Sequence, residues 1–449
     1  MFRRVLVANR GEIARRIFRT LRALGIESVA IHSSIEELAA HVAEAGMAIE
    51  IAASHPSRAY LHLHEVIAAA KASGADAIHP GYGFLSENAD FAQAVTDAGM
   101  VWIGPSAASI RLLGDKAAAR REMARLGFPV ARGGEVSTAA EAVALGRIIG
   151  MPLMLKAVAG GGGIGMQVVT DISQLAAAAE KVSAHAERFF GSSALLVERY
   201  LGQARHIELQ VAGFADGIVH VLGDRDCSVQ RRFQKVVEEA PAANLSDALR
   251  QRMHRAAESA LSSLGYRNLG TVECLVDGED FVFLEVNTRL QVEHPITEMV
   301  TGIDLVETQL RIAAGEDPGF NPASLGQSGH AIELRIYAED PVRFLPGGGE
   351  ITTWKEPVGD GIRVDAGYRR GDVVTTHFDP LMAKLCVWGA DRPQALSRAR
   401  AAVADFEISG PRHNLPFLAR VLNEPSFGDG AYDTGLVGNI QRQTATVGA

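Results

Sequence analysis

A short apolar strand, an amphipathic helix and a second strand open the chain, and that order restricts the fold more than any other feature. Residues 4–8, "RVLVA", read as a buried strand. After them Ile13, Ile17, Leu21 and Leu24 recur at three- and four-residue steps, the apolar stripe of a helix. "ESVAIHSS" then returns as a strand within about 30 residues, which makes a βαβ unit with parallel strands. "EVIAAAKASG" predicts a helix ending at Gly74, and "ADAIHPG" and "MVWIGP" two further strands. Residues 1 to about 110 therefore predict a parallel α/β domain.

The chain has 449 residues, which at roughly 150 per domain predicts about three domains. "SIRLLGDKAAARREMARLG" begins a second, initially helical region. Residues 150–210 read as alternating strand and loop. "HIELQVAG", "IVHVLGDRD" and "GTVECLVDGEDFVFLEVN" read as strands separated by turn signals. From Gly329 a third region begins, with strands "HAIELRIYAED", "EITTWKEP", "GIRVDAG" and "KLCVWG" and the helix "RPQALSRARAAVADF". The tail after Asn439 is polar and small and is expected to fray.

The net charge is −9 and no block of five Lys or Arg occurs, which argues against nucleic acid as the main partner. Three cysteines without CxxC spacing (Cys227, Cys274 and Cys386) argue against a disulfide framework or structural zinc and fit a reducing compartment. The first apolar run is too short for a signal core, and no apolar stretch of about 18 residues follows. The expectation is a cytoplasmic protein without a membrane partner.

Two stretches carry chemistry. In "LKAVAGGGGIGMQVV" five of the six residues 160–165 are glycine. Ordering five glycines costs about 2.5–5 kcal/mol relative to alanine, so the loop needs a ligand to justify it. Walker spacing is absent, and apolar strands flank the run on both sides, so it reads as a hairpin flap. Its bare backbone at Gly161, Gly162 and Gly163 can approach phosphate oxygens, with Lys156 supplying charge. A floppy surface linker is the competing reading.

The second stretch is "EVNTRLQVEHP". Glu285, Asn287, Arg289, Gln291 and Glu293 alternate with Val286, Thr288, Leu290 and Val292. If the strand continues to Glu293, one face carries two carboxylates, two amides and a guanidinium. Folding the chain back symmetrically about Gly278–Glu279 places Glu273 roughly across from Glu285. Paired carboxylates need a cation between them, and with Asn287 they make an oxygen site suited to Mg²⁺ on substrate phosphates. The competing reading is a solvated strand face, which usually mixes in Lys, Ser and Thr. Lys116 at a helix start, Lys235 in "RRFQKVVEE" and Arg335 in "IELRIYAED" are candidate positive groups. Arg335 is the most informative, because the strand's other face is Ile332, Leu334 and Ile336, and a buried guanidinium requires an anionic partner. His206, taken alone, reads as a packed or capping histidine.

The ordered motifs "ANRGEIA", "AIHPGYGFLSENADFA", "GGGGIGM", "DRDCSVQRRFQKVVEEAP", "EVNTRLQVEHPITEMVTGIDLV" and "FDPLMAKL" resemble the biotin carboxylase family over residues 4–435. The resemblance implies an α/β and α+β protein in three parts. These are an N-terminal parallel α/β domain (1–114), an ATP-grasp domain with a mobile lid (115–328, lid about 131–203) and a C-terminal α+β domain (329–440). It implies a homodimer and an ATP-dependent ligase that uses Mg²⁺ (or Mn²⁺), ATP and bicarbonate to carboxylate biotin through carboxyphosphate. Lys116, Lys156, His206 and Gln230 would then serve the nucleotide, with Glu198 and Leu201 flanking adenine. Glu273, Glu285 and Asn287 would hold metal. Arg289, Gln291 and the Val292 backbone would hold bicarbonate, with Glu293 as general base. Lys235 would support carboxyphosphate and Arg335 the biotin enolate.

Some positions depart from the family pattern. Phe233 stands where histidine is usual near the ribose, and "THFDP" where "YYDP" is usual. Ile164 replaces a basic lid residue, so the lid looks more like the urea carboxylase branch. No biotin-carrier motif or carboxyltransferase region is recognised, so biotin is expected on a separate carrier protein, with a carboxyltransferase as second partner, unless the chain is a fragment. A carboxylate–amine ligase would share the lid and metal carboxylates but not "TRLQVEHP". A non-catalytic nucleotide-binding paralogue is the third reading, motivated by Phe233 and Ile164.

Overall fold

The computed structural model describes residues 1–158 and 166–447. The glycine run, including Gly161, Gly162, Gly163 and Ile164, lies outside the described residues.

Strands β1 (Arg4–Val7), β2 (Glu27–His32), β3 (Met47–Glu50), β4 (Ala77–His79) and β5 (Val101–Trp102) form a parallel sheet in the order β3-β2-β1-β4-β5. The predicted helix is Gly11–Ala23, with Ile13, Ile17 and Leu21 buried. Alternate residues of β1 enter different cores. Leu6 packs with Val29 and Ile78, while Val5 and Val7 pack with Leu222, Leu269 and Leu290 of the central region. A strand buried on both faces thus docks the first region onto the second. The strand order reverses between β1 and β4, where open parallel sheets bind ligands at the carboxyl ends of their strands. Asn9 and Tyr82, just past those ends, line the central cleft.

The lid region is a four-stranded antiparallel sheet of β6 (Gly133–Val136), β7 (Leu153–Ala157), β8 (Met166–Val169) and β9 (Leu195–Arg199). The strands flanking the glycine run form the expected hairpin, with Lys156 opposite Met166. The strand-and-loop expectation for residues 150–210 fails at the 16-residue helix Leu175–Phe190. Leu175, Ala178, Ala179 and Val182 are its buried stripe, and Gly191 closes it in the left-handed conformation.

The largest sheet has eight strands in the order β14-β13-β10-β11-β12-β15-β20-β18. Here β10 is Arg205–Gly213, β11 Val219–Arg231, β12 Gln234–Ala240, β13 Asn268–Asp277 and β14 Asp280–Asn287. The C-terminal region contributes β15 (His330–Tyr337), β18 (Ile362–Ala366) and β20 (Leu381–Gly389). Two short ribbons pair β16 (Gly349–Glu350) with β19 (Val373–Val374) and β17 (Thr353–Lys355) with β21 (Glu407–Ser409). β12 pairs with β15, so one sheet runs through the expected 328/329 junction. The expected fraying does not begin at Asn439. Helix Leu436–Val447 continues through it, and Ile440 is buried. Among the described residues no helix is long and apolar enough to cross a membrane. All three cysteines are free and buried.

Candidate active site

A cleft of about 1210 Å³ lies where the first region, the lid sheet and the large sheet meet. One row of the large sheet forms its floor. Register places Glu285 beside Glu273, Glu273 beside Glu208, and Glu208 beside Arg225. Three neighbouring carboxylates would repel unless cations intervene. Lys116 Nζ lies 3.3 Å from Glu285, and Arg225, fully buried, lies 3.2 Å from Glu208. Lys235 pairs with Glu208, with Glu273 at 2.9 Å and with Glu293 at 2.8 Å. A bulge between Val229 and Gln230 on the β11–β12 pairing shifts register, so Lys235 and Glu238, three residues apart, reach the same cluster.

Each ionisation in this cluster reflects burial set against a partner. Burial alone would lower the His206 pKa, but Glu273, 2.9 Å away, and Glu208 raise it to about 9. His206 is therefore a buried imidazolium, not the merely packed histidine its sequence context indicated. Burial would raise the Glu273 and Glu208 carboxyls, yet Lys235 above all holds each at about 2. Glu293 is fully buried, and burial opposes its charge. Lys235 and Arg335, the latter 2.9 Å from its second oxygen, nevertheless keep it below the usual carboxylate range. Arg335 also pairs with Glu238 at 2.6 Å, the anionic partner its apolar strand demanded.

The alternation across residues 285–293 is not one continuous strand. β14 stops at Asn287, and Glu293 caps the helix His294–Thr301. The polar side chains converge all the same. Asn287 Nδ2 and Gln291 Nε2 donate to Glu273 Oε1 at 2.6 and 3.1 Å. Arg289 donates to Asn287 Oδ1 and Gln291 Oε1, both at 3.1 Å, and to Glu87 of the first region at 2.9 Å.

Toward the lid, Lys156 Nζ donates to Glu198 at 2.6 Å, and Arg120 takes its other oxygen at 3.1 Å. Leu201, Met154, Met166 and Leu275 give this end an apolar wall. Gln230 donates to the Cys227 carbonyl at 2.8 Å and lies 2.7 Å from His206 Nδ1. Val292 lines the cleft floor. Apart from the glycines outside the described residues, every predicted site residue lines this cleft or touches a residue that does.

The expected metal set has the right chemistry for a hard divalent cation: two carboxylates face each other across β13 and β14, with an amide beside them. His206, Glu208 and Glu273 also bring ligand atoms within 4.8 Å of one another. In the structure the Lys235 ammonium pairs with both Glu208 and Glu273, so a cation already sits against these carboxylates.

Sequence reasoning missed Glu208, Arg225, Glu238 and Glu87. Glu208 had a signal: in "HIELQV" the polar residues alternate with buried Ile207, Leu209 and Val211. Glu87 had none, because its partner Arg289 lies 202 residues along the chain.

Comparison with known proteins gives a consistent result. Residues 1–110 match the family described as biotin carboxylase, N-terminal domain, and residues 333–439 its C-terminal domain. Residues 115–318 match the carbamoyl-phosphate synthase L chain, ATP binding domain. The chain is 48% identical to a biotin carboxylase of Halalkalibacterium halodurans, over 98% of both chains. It is 43% identical to one of the pyruvate carboxylase subunits of Methanothermobacter thermautotrophicus, over 98% of this chain and 91% of that one. Among solved structures, the biotin carboxylase domain dimer of Hydrogenobacter thermophilus 2-oxoglutarate carboxylase, in complex with MgADP, ADP and bicarbonate, superposes with a TM-score of 0.95. That domain is 41% identical and 98% of each chain is covered.

Proposed function

Since this chain belongs to the biotin carboxylase family, we propose that its cleft carries out both half-reactions at the residues described above. The chain is an ATP-dependent ligase that carboxylates biotin with bicarbonate. The observation that carries the assignment of residues is the triangle Lys235–Glu293–Arg335, with two cations on opposite oxygens of one buried carboxylate.

Lys116, Lys156, His206 and Gln230 serve the nucleotide, and Glu198 and Leu201 flank the base. Glu273, Glu285 and Asn287 hold Mg²⁺, which when bound neutralises triphosphate oxygens and makes the γ-phosphorus more electrophilic. Arg289, Gln291 and the Val292 backbone hold bicarbonate. Glu293 takes its proton while a bicarbonate oxygen attacks the γ-phosphorus, giving ADP and carboxyphosphate. Lys235 balances charge on that intermediate. The carboxyl group then passes to the biotin ureido nitrogen, whose proton leaves with the released phosphate. Arg335 stabilises the ureido oxyanion. The glycine run Gly161, Gly162 and Gly163 belongs to this reading as the flap over the phosphates, which keeps water from a labile intermediate.

The domain limits 1–114, 115–328 and 329–440, a homodimer, biotin on a separate carrier, a carboxyltransferase partner and a cytoplasmic setting are parts of the same reading. The relative named as one component of a pyruvate carboxylase supports the partnership. Phosphate release from ATP tests the reading. It should require bicarbonate and rise on adding free biotin; release indifferent to both would refute it.

A further inference from the structure

Residues 288–293 have left the sheet, yet Arg289 and Gln291 still reach Asn287 and Glu273, and Glu293 reaches the adjoining Lys235, so something else must hold this backbone. Two consecutive carbonyls are anchored from behind. The Gln291 oxygen lies 2.7 Å from His294 Nδ1, and the Val292 oxygen accepts a hydrogen bond from Lys384 Nζ at 2.8 Å. Lys384 is wholly buried on β20, directly opposite Arg335 on β15. The acidic groups facing it are Glu12 at 3.3 Å, from the first turn of helix Gly11–Ala23, Glu333 on β15 and Asp365, its register partner on β18. A buried ammonium is costly, and an apolar side chain of similar volume often packs there with equal or better stability. Packing alone therefore does not explain a lysine. A fixed Val292 carbonyl does, because it sets the plane of the peptide joining Val292 to Glu293.

We propose that Lys384, held beside Glu12, is a positioning residue that orients the bicarbonate-holding segment and the Glu293 carboxylate from behind the sheet. This rests on the assignment of residues 289–293 to bicarbonate. Lys384 touches no reacting atom; it acts through one carbonyl, and it ties the first and third regions to the chemistry of the second.

The test is the double variant Lys384→Met with Glu12→Gln, which exchanges both buried ionisable groups for uncharged side chains of similar size. It should fold cooperatively and keep the KM for ATP within about twofold, while kcat/KM for bicarbonate falls about 100-fold, the scale of an ångström-level misplacement. Lys384→Arg, which keeps a cationic donor, should recover at least about tenfold of that loss. Wild-type bicarbonate kinetics in the double variant, equal losses for ATP and bicarbonate, or failure of the double variant to fold would each overturn the proposal. Arg289→Ala separates the two levels: unchanged bicarbonate kinetics there would remove the underlying assignment, whereas a loss there with none in the double variant would remove only the role of Lys384.

Discussion

Glu273 and Glu285 stand opposite one another on β13 and β14 because a bulge between Glu273 and Cys274 shifts the hairpin by one residue. Without it Glu273 would face Leu284, and the metal-holding pair would not exist. Glu285 is the more open of the two, with Lys116 paired to it at 3.3 Å. Glu285→Gln should therefore leave the fold intact and raise the Mg²⁺ concentration for half-maximal activity about tenfold or more, read from a Mg²⁺ titration at fixed ATP.

Glu293 is the buried carboxylate shared by Lys235 and Arg335. Glu293→Gln keeps its shape and removes the base. kcat should fall by about 10²–10⁴ with the KM for ATP little changed, as measured by steady-state kinetics.

His206 links stability to pH. Its folded pKa of about 9 lies above the ordinary 6.5 because Glu273 and Glu208 outweigh burial. Between those values the native state holds one more proton than the unfolded chain. The contribution is thus fully present below about pH 6.5 and is lost as pH rises through about 9, with a slope of at most about 1.4 kcal/mol per pH unit. His206→Asn should remove that component of the slope, seen as a smaller difference between urea midpoints at pH 6.5 and 9 than in the wild type.

Arg232 and Phe233, the two turn residues between β11 and β12, have φ of +50° and +66°. Such a turn favours Asn-Gly, and a side chain in this conformation costs about 1–2 kcal/mol. Phe233→Gly should raise stability by about 1 kcal/mol, less glycine's extra unfolded-state entropy, and thermal unfolding will show it.

Much of the site is legible because local alternation exposes it. The hairpin around Lys156 and the inward Arg335 follow from period-two patterns and turn residues, whereas those patterns bring Glu273 only to within one residue of Glu285 and the bulge after Glu273 completes the pairing. Glu208 shows the same pattern, but a single carboxylate on a strand carries little weight by itself. Lys384 and Glu87 are illegible because their partners, Val292 and Arg289, lie distant in sequence. Alternation predicts the right convergence past Asn287 for the wrong reason, since anchored carbonyls rather than strand geometry aim those side chains. The helix Leu175–Phe190 escapes the strand-and-loop reading because its buried stripe is built largely of alanine, a weak apolar signal beside the strands around it. Composition alone predicts a frayed tail, whereas Ile440 supplies a buried contact that holds it.

Oxygen tracing tests the central claim most directly. If a bicarbonate oxygen attacks the γ-phosphorus and the carboxyl group then leaves for biotin, that oxygen stays on phosphorus. Turnover with ¹⁸O-bicarbonate, ATP and biotin should place one labelled oxygen in each released phosphate. Unlabelled phosphate, with biotin still carboxylated, would contradict the account.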